Sequence, residues 1–339
     1  MPLIRVVIPT YNRCKLAREA IESALDQTVR DLEIVVVDDG SADTTNELLR
    51  EFERQDRRVT GVWQRNQGVA CARNRAIEVP GLHRYVAFLD SADLWVPSHL
   101  ERAIEALERN PEVSLAFARR QVVDTVGIIQ ARGATQRHER RPEQLLARAK
   151  PSGDRCYVVP ATECRRGLLR NTFAPWTSSV VVRRASVLRT PWFKPHLEVM
   201  EDLDLYLYLA EGSFAFLDEV HGLYRYAGDN LTSGDNPGSP VKLRQLHSVL
   251  EYQKTKLTVT TAAGDRAYVK SEIAETLWLI GQGWDLQSNS RRARSAYASA
   301  FNYRPSWKAT RSYFAVCLHP GVRRVLRNLL ASLGDGDLG

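Results

Sequence analysis

Aspartates stand directly after two apolar runs near the start of this chain. Asp38 and Asp39 follow the run Leu32–Val37, and Asp90 follows the run Tyr85–Leu89. Carboxylates in such places can accept the imide N–H of a uracil, bond a ribose hydroxyl, or help a Mg²⁺ or Mn²⁺ ion to bridge two phosphates. A helix-capping turn explains the polar residues after position 39 but not two adjacent aspartates. The pattern therefore indicates a ligand site.

Two other segments carry polar side chains beside these aspartates. Arg73 lies at a predicted helix start and can pair with a phosphate, although in isolation a surface arginine is the favoured explanation. The segment Pro9–Asn12 follows the first apolar run, where a turn with an Asx cap also accounts for it. Read separately, both segments favour local structure over a ligand site.

Apolar spacing predicts alternating strands and helices over the first 118 residues. The predicted strands are Ile4–Ile8, Leu32–Val37, Val59–Trp63, Tyr85–Leu89 and Ser114–Phe117, and the predicted helices are Leu16–Leu25, Thr44–Phe52, Gly68–Ile77 and His99–Leu107. Such alternation is typical of a parallel sheet with helices on both faces. Ligands bind beyond the carboxyl ends of strands in these sheets. The three aspartates all fall at such ends.

The pattern changes after residue 127. The stretch from Gly127 to about Cys164 predicts a long loop, with helical potential around Pro142–Ala149. The elements predicted later are the strand Thr177–Val182, the helix Asp202–Ala210, the strand Phe214–Leu217, a linker at Asn230–Pro240, and the helices Lys242–Leu257, Arg266–Leu286, Arg291–Phe301 and Pro320–Leu333.

Four motifs together resemble those of glycosyltransferase family 2. They are Ile8-Pro9-Thr10-Tyr11-Asn12, Asp38-Asp39-Gly40-Ser41, Asn66-Gln67-Gly68 with Ala72-Arg73-Asn74, and Asp90-Ser91-Ala92-Asp93-Leu94-Trp95. The resemblance is specific over residues 3–95, weaker over 172–233 and absent beyond. It implies an α/β fold of the GT-A type, a Rossmann-like, mostly parallel sheet flanked by helices and followed by a helical C-terminal region.

This resemblance also implies a domain plan and a set of site residues. We expect a glycosyltransferase domain at 1–235, with a nucleotide-sugar-binding half at 1–118 and an acceptor half at 119–235, and a helical extension at 236–339. The implied nucleotide-binding residues are Pro9, Thr10, Tyr11, Asn12, Asp39, Arg73, Asp90 and Ser91, the metal ligands Asp90 and Asp93, and the acceptor or diphosphate residues Thr177, Ser178, Glu201 and Arg225.

Three of these residues receive definite roles from the resemblance. Asp39 would contact the base, and Asp90 would reach the ribose. Asp202 would be the general base that deprotonates the acceptor hydroxyl. An acidic helix N-terminus stabilised by the helix dipole also explains Asp202, so its role depends on the resemblance.

One departure from the family pattern concerns the Mg²⁺ or Mn²⁺ cofactor that the resemblance implies. Ala92 replaces the last aspartate of the D-x-D motif, and a methyl group cannot coordinate a cation. Ala227 stands where family members often carry a histidine ligand. An engineered Ala92 would make the chain an inactive form of a metal enzyme. A natural one leaves three alternatives: Asp93 as the ligand, arginines 73 and 225 against the diphosphate, or a retired enzyme.

The predicted reaction is an inverting transfer of a sugar from a nucleotide sugar, expected to be a UDP-sugar, to a hydroxyl acceptor. Surface polysaccharide or glycolipid assembly is the setting that the family implies. The alternative is a catalytically silent nucleotide-sugar-binding protein that lacks a metal ligand at Ala92. A Rossmann-type oxidoreductase is disfavoured because no G-x-G-x-x-G follows the first predicted strand.

Composition limits the partners. The 339 residues are 44% hydrophobic and 26% charged, which is ordinary for a folded protein. The net charge of +7 favours anionic partners, but no nucleic-acid-binding motif accompanies it, so nucleic acid is not predicted. Five cysteines without C-x-x-C spacing predict neither a zinc site nor a disulfide framework and fit a reducing cytoplasm.

The sequence also bears on membranes. No run approaches the roughly 18 apolar residues that span a bilayer, and no signal-peptide pattern begins the chain. We therefore expect a cytoplasmic protein, soluble or peripheral at the inner membrane face. The segment Pro320–Leu333 combines leucines with Arg323, Arg324 and Arg327. It can lie on anionic lipid, pack on its own domain or mediate a homodimer.

Overall fold

The chain divides into two compact units, residues 1–233 and 234–339. The computed structural model describes residues 3–124, 146–225 and 236–317. The predictions that concern Ala227 and Pro320–Leu333 lie outside the described residues, as do residues 142–145 of the predicted helical stretch Pro142–Ala149.

The N-terminal unit is built on one ten-stranded sheet within the described residues. Its strands are β1 (Ile4–Thr10), β2 (Leu32–Asp38), β3 (Val59–Trp63), β4 (Tyr85–Phe88), β5 (Leu94–Trp95), β6 (Val113–Val123), β7 (Lys150–Pro151), β8 (Cys156–Val159), β9 (Val181–Arg183) and β10 (Ser213–Arg225). Its helices are α1 (Cys14–Leu25), α2 (Thr45–Gln55), α3 (Val69–Glu78), α4 (His99–Arg109), α5 (Ala161–Leu169), α6 (Arg184–Val187) and α7 (Glu201–Leu209), and a 3₁₀ turn spans Thr177–Ser179.

The strand order is β3-β2-β1-β4-β9-β6-β10-β8-β7, with β5 paired to β10. The pairs β3–β2, β2–β1, β1–β4 and β6–β10 are parallel, as predicted for the first half of the sheet. The other pairs are antiparallel: β9 returns between β4 and β6 after the 3₁₀ turn, β5 and β8 pair with β10, and β7 pairs with β8. The α/β prediction is confirmed: the sheet is mixed, and its parallel pairs carry most of the strand register.

Burial explains why the first strands form and where they stop. Every residue of β1 is buried, and β2 is buried apart from half-buried Glu33, so β-branched side chains pack on both faces of the sheet. Thr10 lies opposite Asp38 in the parallel register, and Val7 lies opposite Phe88. This register brings the carboxyl ends of β1, β2 and β4 to one edge of the sheet.

Two sequence predictions for the second half of the unit are wrong in detail. Residues 156–159 and 161–169 form β8 and α5, although the stretch to Cys164 was expected to be a loop. The many arginines of this stretch made it difficult to recognise in the sequence the short apolar groups that pack against β10. Thr177 and Ser178 belong to the 3₁₀ turn and not to a strand, because the Ser179 N–H bonds the carbonyl of Trp176.

The C-terminal unit is helical over its described residues, as predicted. It contains α8 (Pro240–Val259), α9 (Ala263–Leu286), α10 (Ser290–Tyr303) and α11 (Trp307–Cys317), of which α11 was not predicted. Ser239 and Asn289 cap α8 and α10 through their side-chain oxygens. Within the described part of the chain, no helix is both long and apolar enough to cross a membrane.

Candidate active site

The predicted site residues meet at the carboxyl edge of β1, β2 and β4, where side chains from α3, α7 and the 3₁₀ turn join them. Arg73 of α3 links two of these elements. Its Nη1 lies 2.6 Å from Oε1 of Glu201, and its Nη2 lies 2.7 Å from Oδ1 of Asp90. The sheet edge and the start of α7 are therefore tied by one buried guanidinium.

This pairing changes the role that Arg73 can have. Its side chain is 4% exposed, and the two carboxylates raise its pKa against the opposing effect of burial. It is a fixed cation between Asp90 and Glu201, not an arginine extended toward solvent. Asp90 keeps 38% of its side chain exposed, so a ligand can still reach it. Phosphate binding by Arg73 stays a prediction that requires an exchange of partners.

Glu201 is the buried end of this network. Burial and the charge of Asp202 raise its pKa to about 7, while Arg73 acts in the opposite direction. Only 9% of its side chain is exposed. In this arrangement Glu201 binds Arg73 and holds it in place, so direct contact of Glu201 with an acceptor or a diphosphate stays a prediction.

Asp202, the predicted general base, lies at the start of α7, and its catalytic role stays a prediction. It lies in the first turn of α7, where the helix dipole favours a negative charge, and it is half-buried. Its Oδ2 accepts a hydrogen bond of 2.7 Å from Oγ1 of Thr177. Thr177 in turn accepts a bond of 3.2 Å from the hydroxyl of Tyr206. This chain fixes the carboxylate without neutralising it.

Asp93 and its neighbours form a second, deeper network. Asp93 accepts bonds from Oγ of Ser178, at 2.6 Å, and from the backbone N–H of Arg225, at 3.2 Å. Burial, followed by the charge of Asp90, raises the pKa of Asp93 to about 7. The Arg225 guanidinium binds Glu19 of α1 at 2.6 Å and is 4% exposed. Both residues hold β10 to the sheet edge.

The described residues do not form a metal site by themselves. Among residues 3–124, 146–225 and 236–317, no group of three or more His, Cys, Asp and Glu side chains is placed to hold an ion. Ala92 is 8% exposed and supplies no ligand atom. Asp93 uses both oxygens within the protein, and of the two predicted ligands only Asp90 is exposed.

The loops after β1 and β2 are joined to each other. The Asn12 N–H donates to Oγ of Ser41 at 2.8 Å, and Oδ1 of Asn12 accepts the Ala42 N–H at 2.7 Å. Asn12 adopts a positive φ of 51°, a left-handed conformation that Asn tolerates better than most residues. The neighbouring Tyr11 has 47% of its surface exposed.

The two aspartates after β2 have different surroundings. Asp39 accepts bonds from the Gln64 side chain and from the N–H groups of Gln67 and Gly68, so it organises the loop after β3. Within the described residues, Oδ2 of Asp38 and Oγ1 of Thr10 are buried and have no hydrogen-bond partner. A base contact by Asp39 stays a prediction.

Comparison with known proteins shows the family and the fold. Residues 5–173, about half of the chain, match the family model described as glycosyl transferase family 2. The chain belongs to glycosyltransferase family 2. The match includes the donor-side motifs and Asp90, whereas Asp202 and Arg225 lie beyond it.

A curated relative in this family comes from Bacillus subtilis. It is TuaG, described as a putative teichuronic acid biosynthesis glycosyltransferase, and it is 41% identical over 118 residues. The aligned segment is 34% of this chain and 45% of TuaG, so the chain spans less than half of that relative.

Solved structures extend the likeness over nearly the whole chain. The crystal structure of S. aureus TarS 1-349 is 17% identical, with a TM-score of 0.62, and covers 97% of this chain and 92% of that one. The mannosyltransferase PcManGT from Pyrobaculum calidifontis, solved with GDP-Man and Mn²⁺, is 17% identical with a TM-score of 0.53, and covers 96% of this chain and 83% of that one. At such identities the likeness shows the fold, and it confirms the GT-A prediction for this family 2 chain.

Sequence reasoning missed three residues that support the site. Tyr206 fixes Thr177, Glu19 binds Arg225, and Gln64 binds Asp39. Tyr206 stands four residues after Asp202, a helical spacing that places it on the same side of α7. No local signal marks Glu19, which is one of several charged residues of α1.

Proposed function

We propose that this chain transfers a sugar from a nucleotide sugar, a UDP-sugar, to a hydroxyl acceptor with inversion at the anomeric carbon. The observation that carries the proposal is the half-buried carboxylate of Asp202, fixed by Thr177 beside the Arg73–Asp90 pair. Family 2 membership supports the reaction class. A structure of TarS 1-349 in complex with UDP-GlcNAc, 16% identical with a TM-score of 0.63, supports the choice of donor.

In the proposed reaction the acceptor oxygen attacks the anomeric carbon while the bond from that carbon to the diphosphate breaks. Asp202 takes the proton from the acceptor hydroxyl, and UDP leaves from the opposite face of the sugar. To the donor side we assign Asp90 and Ser91, together with Pro9, Thr10, Tyr11, Asn12 and Asp39. The exposed ring of Tyr11 is suited to lie against a nucleobase.

A divalent cation is not assigned a step in this proposal. Such an ion would neutralise charge on the leaving diphosphate, but of the two predicted ligands only Asp90 keeps an exposed carboxylate, and no group of three or more His, Cys, Asp and Glu side chains in the described residues is placed to hold an ion. The guanidinium groups of Arg73 and Arg225 are buried and bind carboxylates of the protein. In this arrangement they stabilise the site, and binding a diphosphate would require them to exchange partners. Whether a metal is needed is therefore an experimental question about position 92.

Calorimetry of UDP binding with and without Mn²⁺, on this chain and on Ala92→Asp, addresses that question. If Mn²⁺ strengthens binding only after Ala92→Asp, then residue 92 is a vacated metal position. Equal binding without metal in both proteins favours metal-independent binding. If UDP does not bind to either protein, the UDP-sugar donor is rejected and other nucleotides must be tried.

Transfer itself is tested by UDP release from UDP-sugars in the presence of hydroxyl acceptors. Proton NMR of the first-formed product should show inverted anomeric configuration, and retention would contradict the role of Asp202. The second candidate function, nucleotide-sugar binding without transfer, rests on Ala92. It predicts UDP binding without turnover in both the wild-type chain and Asp202→Asn.

The biological setting and partners are proposals of the same kind. TuaG supports surface polysaccharide assembly as the setting, and the hydroxyl acceptor is expected to be a glycan, a glycolipid or a small molecule. A location in the cytoplasm or at the inner membrane face stays a prediction. Homodimer or membrane contact through Pro320–Leu333 also stays a prediction, because that segment lies outside the described residues.

A further inference from the structure

The two units differ sharply in charge. Residues 1–233 contain 32 Lys and Arg and 32 Asp and Glu, whereas residues 234–339 contain 15 and 8. The whole net charge of +7 therefore belongs to the C-terminal unit. From Leu286 to Gly334 the sequence has nine Lys and Arg and no Asp or Glu.

Within that unit, α11 presents two opposite faces. Ala309 and Val316 are buried, and Val316 packs with Ala293 and Tyr297 of α10. On the other side, Trp307 is 77% exposed and Phe314 is 63% exposed. These two side chains are seven residues apart, two helical turns, and so point in the same direction.

Arg311 lies between these aromatic side chains and is itself exposed. Four residues after Trp307 and three before Phe314, it belongs to the same helical face. We call Trp307, Arg311 and Phe314 the exposed α11 face. Trp307 has the largest exposed fraction of any large hydrophobic side chain in the described part of the chain. Packing of α11 on α10 leaves this face uncovered.

We propose that the exposed α11 face binds the surface of an anionic lipid bilayer. Indole and phenyl rings favour the boundary between headgroups and acyl chains, and arginine pairs with lipid phosphates. A unit with a charge of +7 is attracted to a negatively charged surface before contact. The contact is peripheral, because no described helix is able to span the bilayer.

Charge distinguishes this partner from a second copy of the chain. A symmetric dimer through the exposed α11 face would bring two units of charge +7 together and place Arg311 close to its own copy. Such like-charge contacts are unfavourable unless anions screen them. An anionic lipid surface instead satisfies the rings and the arginine together. The proposal does not depend on the sugar-transfer reaction.

Co-sedimentation of the full chain with vesicles tests it. We expect binding to phosphatidylcholine vesicles that contain phosphatidylglycerol, little binding to phosphatidylcholine alone, and weaker binding at high salt. The double variant Trp307→Ser/Phe314→Ser should weaken partitioning at least about tenfold, since it removes the apolar area that enters the interface. Arg311→Glu should weaken it by about tenfold.

Matched variants in the N-terminal unit serve as controls. Trp63→Ser removes a tryptophan that is 61% exposed, and Arg189→Glu reverses an exposed arginine. Both should bind vesicles like the wild type, and the melting temperature of every variant reports whether it is folded. A double variant that sediments as well as the wild type would overturn the proposal.

Other outcomes also decide against it. Equal binding to vesicles with and without phosphatidylglycerol would overturn the charge argument. Concentration-dependent dimerisation that Trp307→Ser/Phe314→Ser abolishes, without vesicle binding, would assign the face to a second copy. Duplex DNA binding that Arg311→Glu weakens, without vesicle binding, would assign it to nucleic acid.

Discussion

The sheet edge of the N-terminal unit and the α10–α11 pair of the C-terminal unit differ in whether their arginines are buried or exposed. At the sheet edge, Arg73 and Arg225 are each 4% exposed and bound to carboxylates from distant segments. In the C-terminal unit, Arg311 is exposed and no acidic residue occurs in α10 or α11. Buried charges fix geometry, because an unpaired one is costly, whereas exposed charges provide a field that acts on partners.

The largest expected effect concerns the carboxylate that this edge leaves accessible. Asp202→Asn keeps an acceptor for the Thr177 hydroxyl but cannot take a proton, so kcat should fall by about 10²–10⁴-fold. UDP binding and the melting temperature should change little. The exposed Asp154→Asn serves as the control and should retain full activity. Wild-type turnover by Asp202→Asn would show that the base lies elsewhere.

Substitution of buried Arg73 tests whether the paired charges at the sheet edge stabilise the fold. Arg73→Met leaves Glu201 and Asp90 without their shared partner, and should lower the free energy of unfolding by about 3–5 kcal/mol at pH 8. Arg75→Met, on the same helix, removes a side chain that is 56% exposed and should cost no more than about 0.5 kcal/mol. Urea denaturation measures both. Equal losses would contradict the assigned role of Arg73.

Burial of neutral His99 should make the free energy of unfolding depend on pH. Burial, followed by the effect of His221, lowers the pKa of His99 from 6.5 to about 3. As the pH falls through 6.5, His99 of the unfolded chain binds a proton that His99 of the folded chain does not. The free energy of unfolding is therefore at its full value above pH 6.5 and decreases as the pH falls toward 3. Relative to His99→Leu, the wild type should lose about 2 kcal/mol between pH 7 and pH 5.

The comparison at pH 7 serves as the internal control for this experiment. Any difference between the two proteins there reflects loss of the His99 ring, which packs against Trp95 at a centroid distance of 4.8 Å and buries two nitrogens that have no hydrogen-bond partner among the described residues. Urea denaturation at both pH values separates packing from titration. If the two proteins respond to pH in parallel, His99 does not contribute to the pH dependence.

The smallest effect is expected in the C-terminal unit. Lys308 lies 2.7 Å from Glu275, and its Nζ is 3.5 Å from the centroid of the Trp278 ring. Because about half of each charged side chain is exposed, Lys308→Ala should cost about 1 kcal/mol or less, and high salt should reduce that cost. Arg311→Ala is the control and should stay within about 0.5 kcal/mol. A loss as large as that of Arg73→Met would remove the contrast between the two units.

Much of this arrangement was predictable from local patterns. The runs Leu32–Val37 and Tyr85–Leu89 predicted strands that the structure contains, and the aspartates after them do lie at one edge of the sheet. Periodicity of apolar residues reports burial, and burial decides strand or helix within a few residues. The same rule failed at residues 156–169, where arginines interrupt short apolar groups.

The sequence by itself determined the α/β alternation, the sheet edge at which the candidate site lies, the helical C-terminal unit and the excess of positive charge there. Only the tertiary structure decided which side chains meet. Arg73 and Glu201 are 128 residues apart, Ser178 and Asp93 are 85 apart, and Arg225 and Glu19 are 206 apart. Such pairs leave no periodic trace in the sequence, because the packing of separate elements and the cost of unpaired buried charge select them.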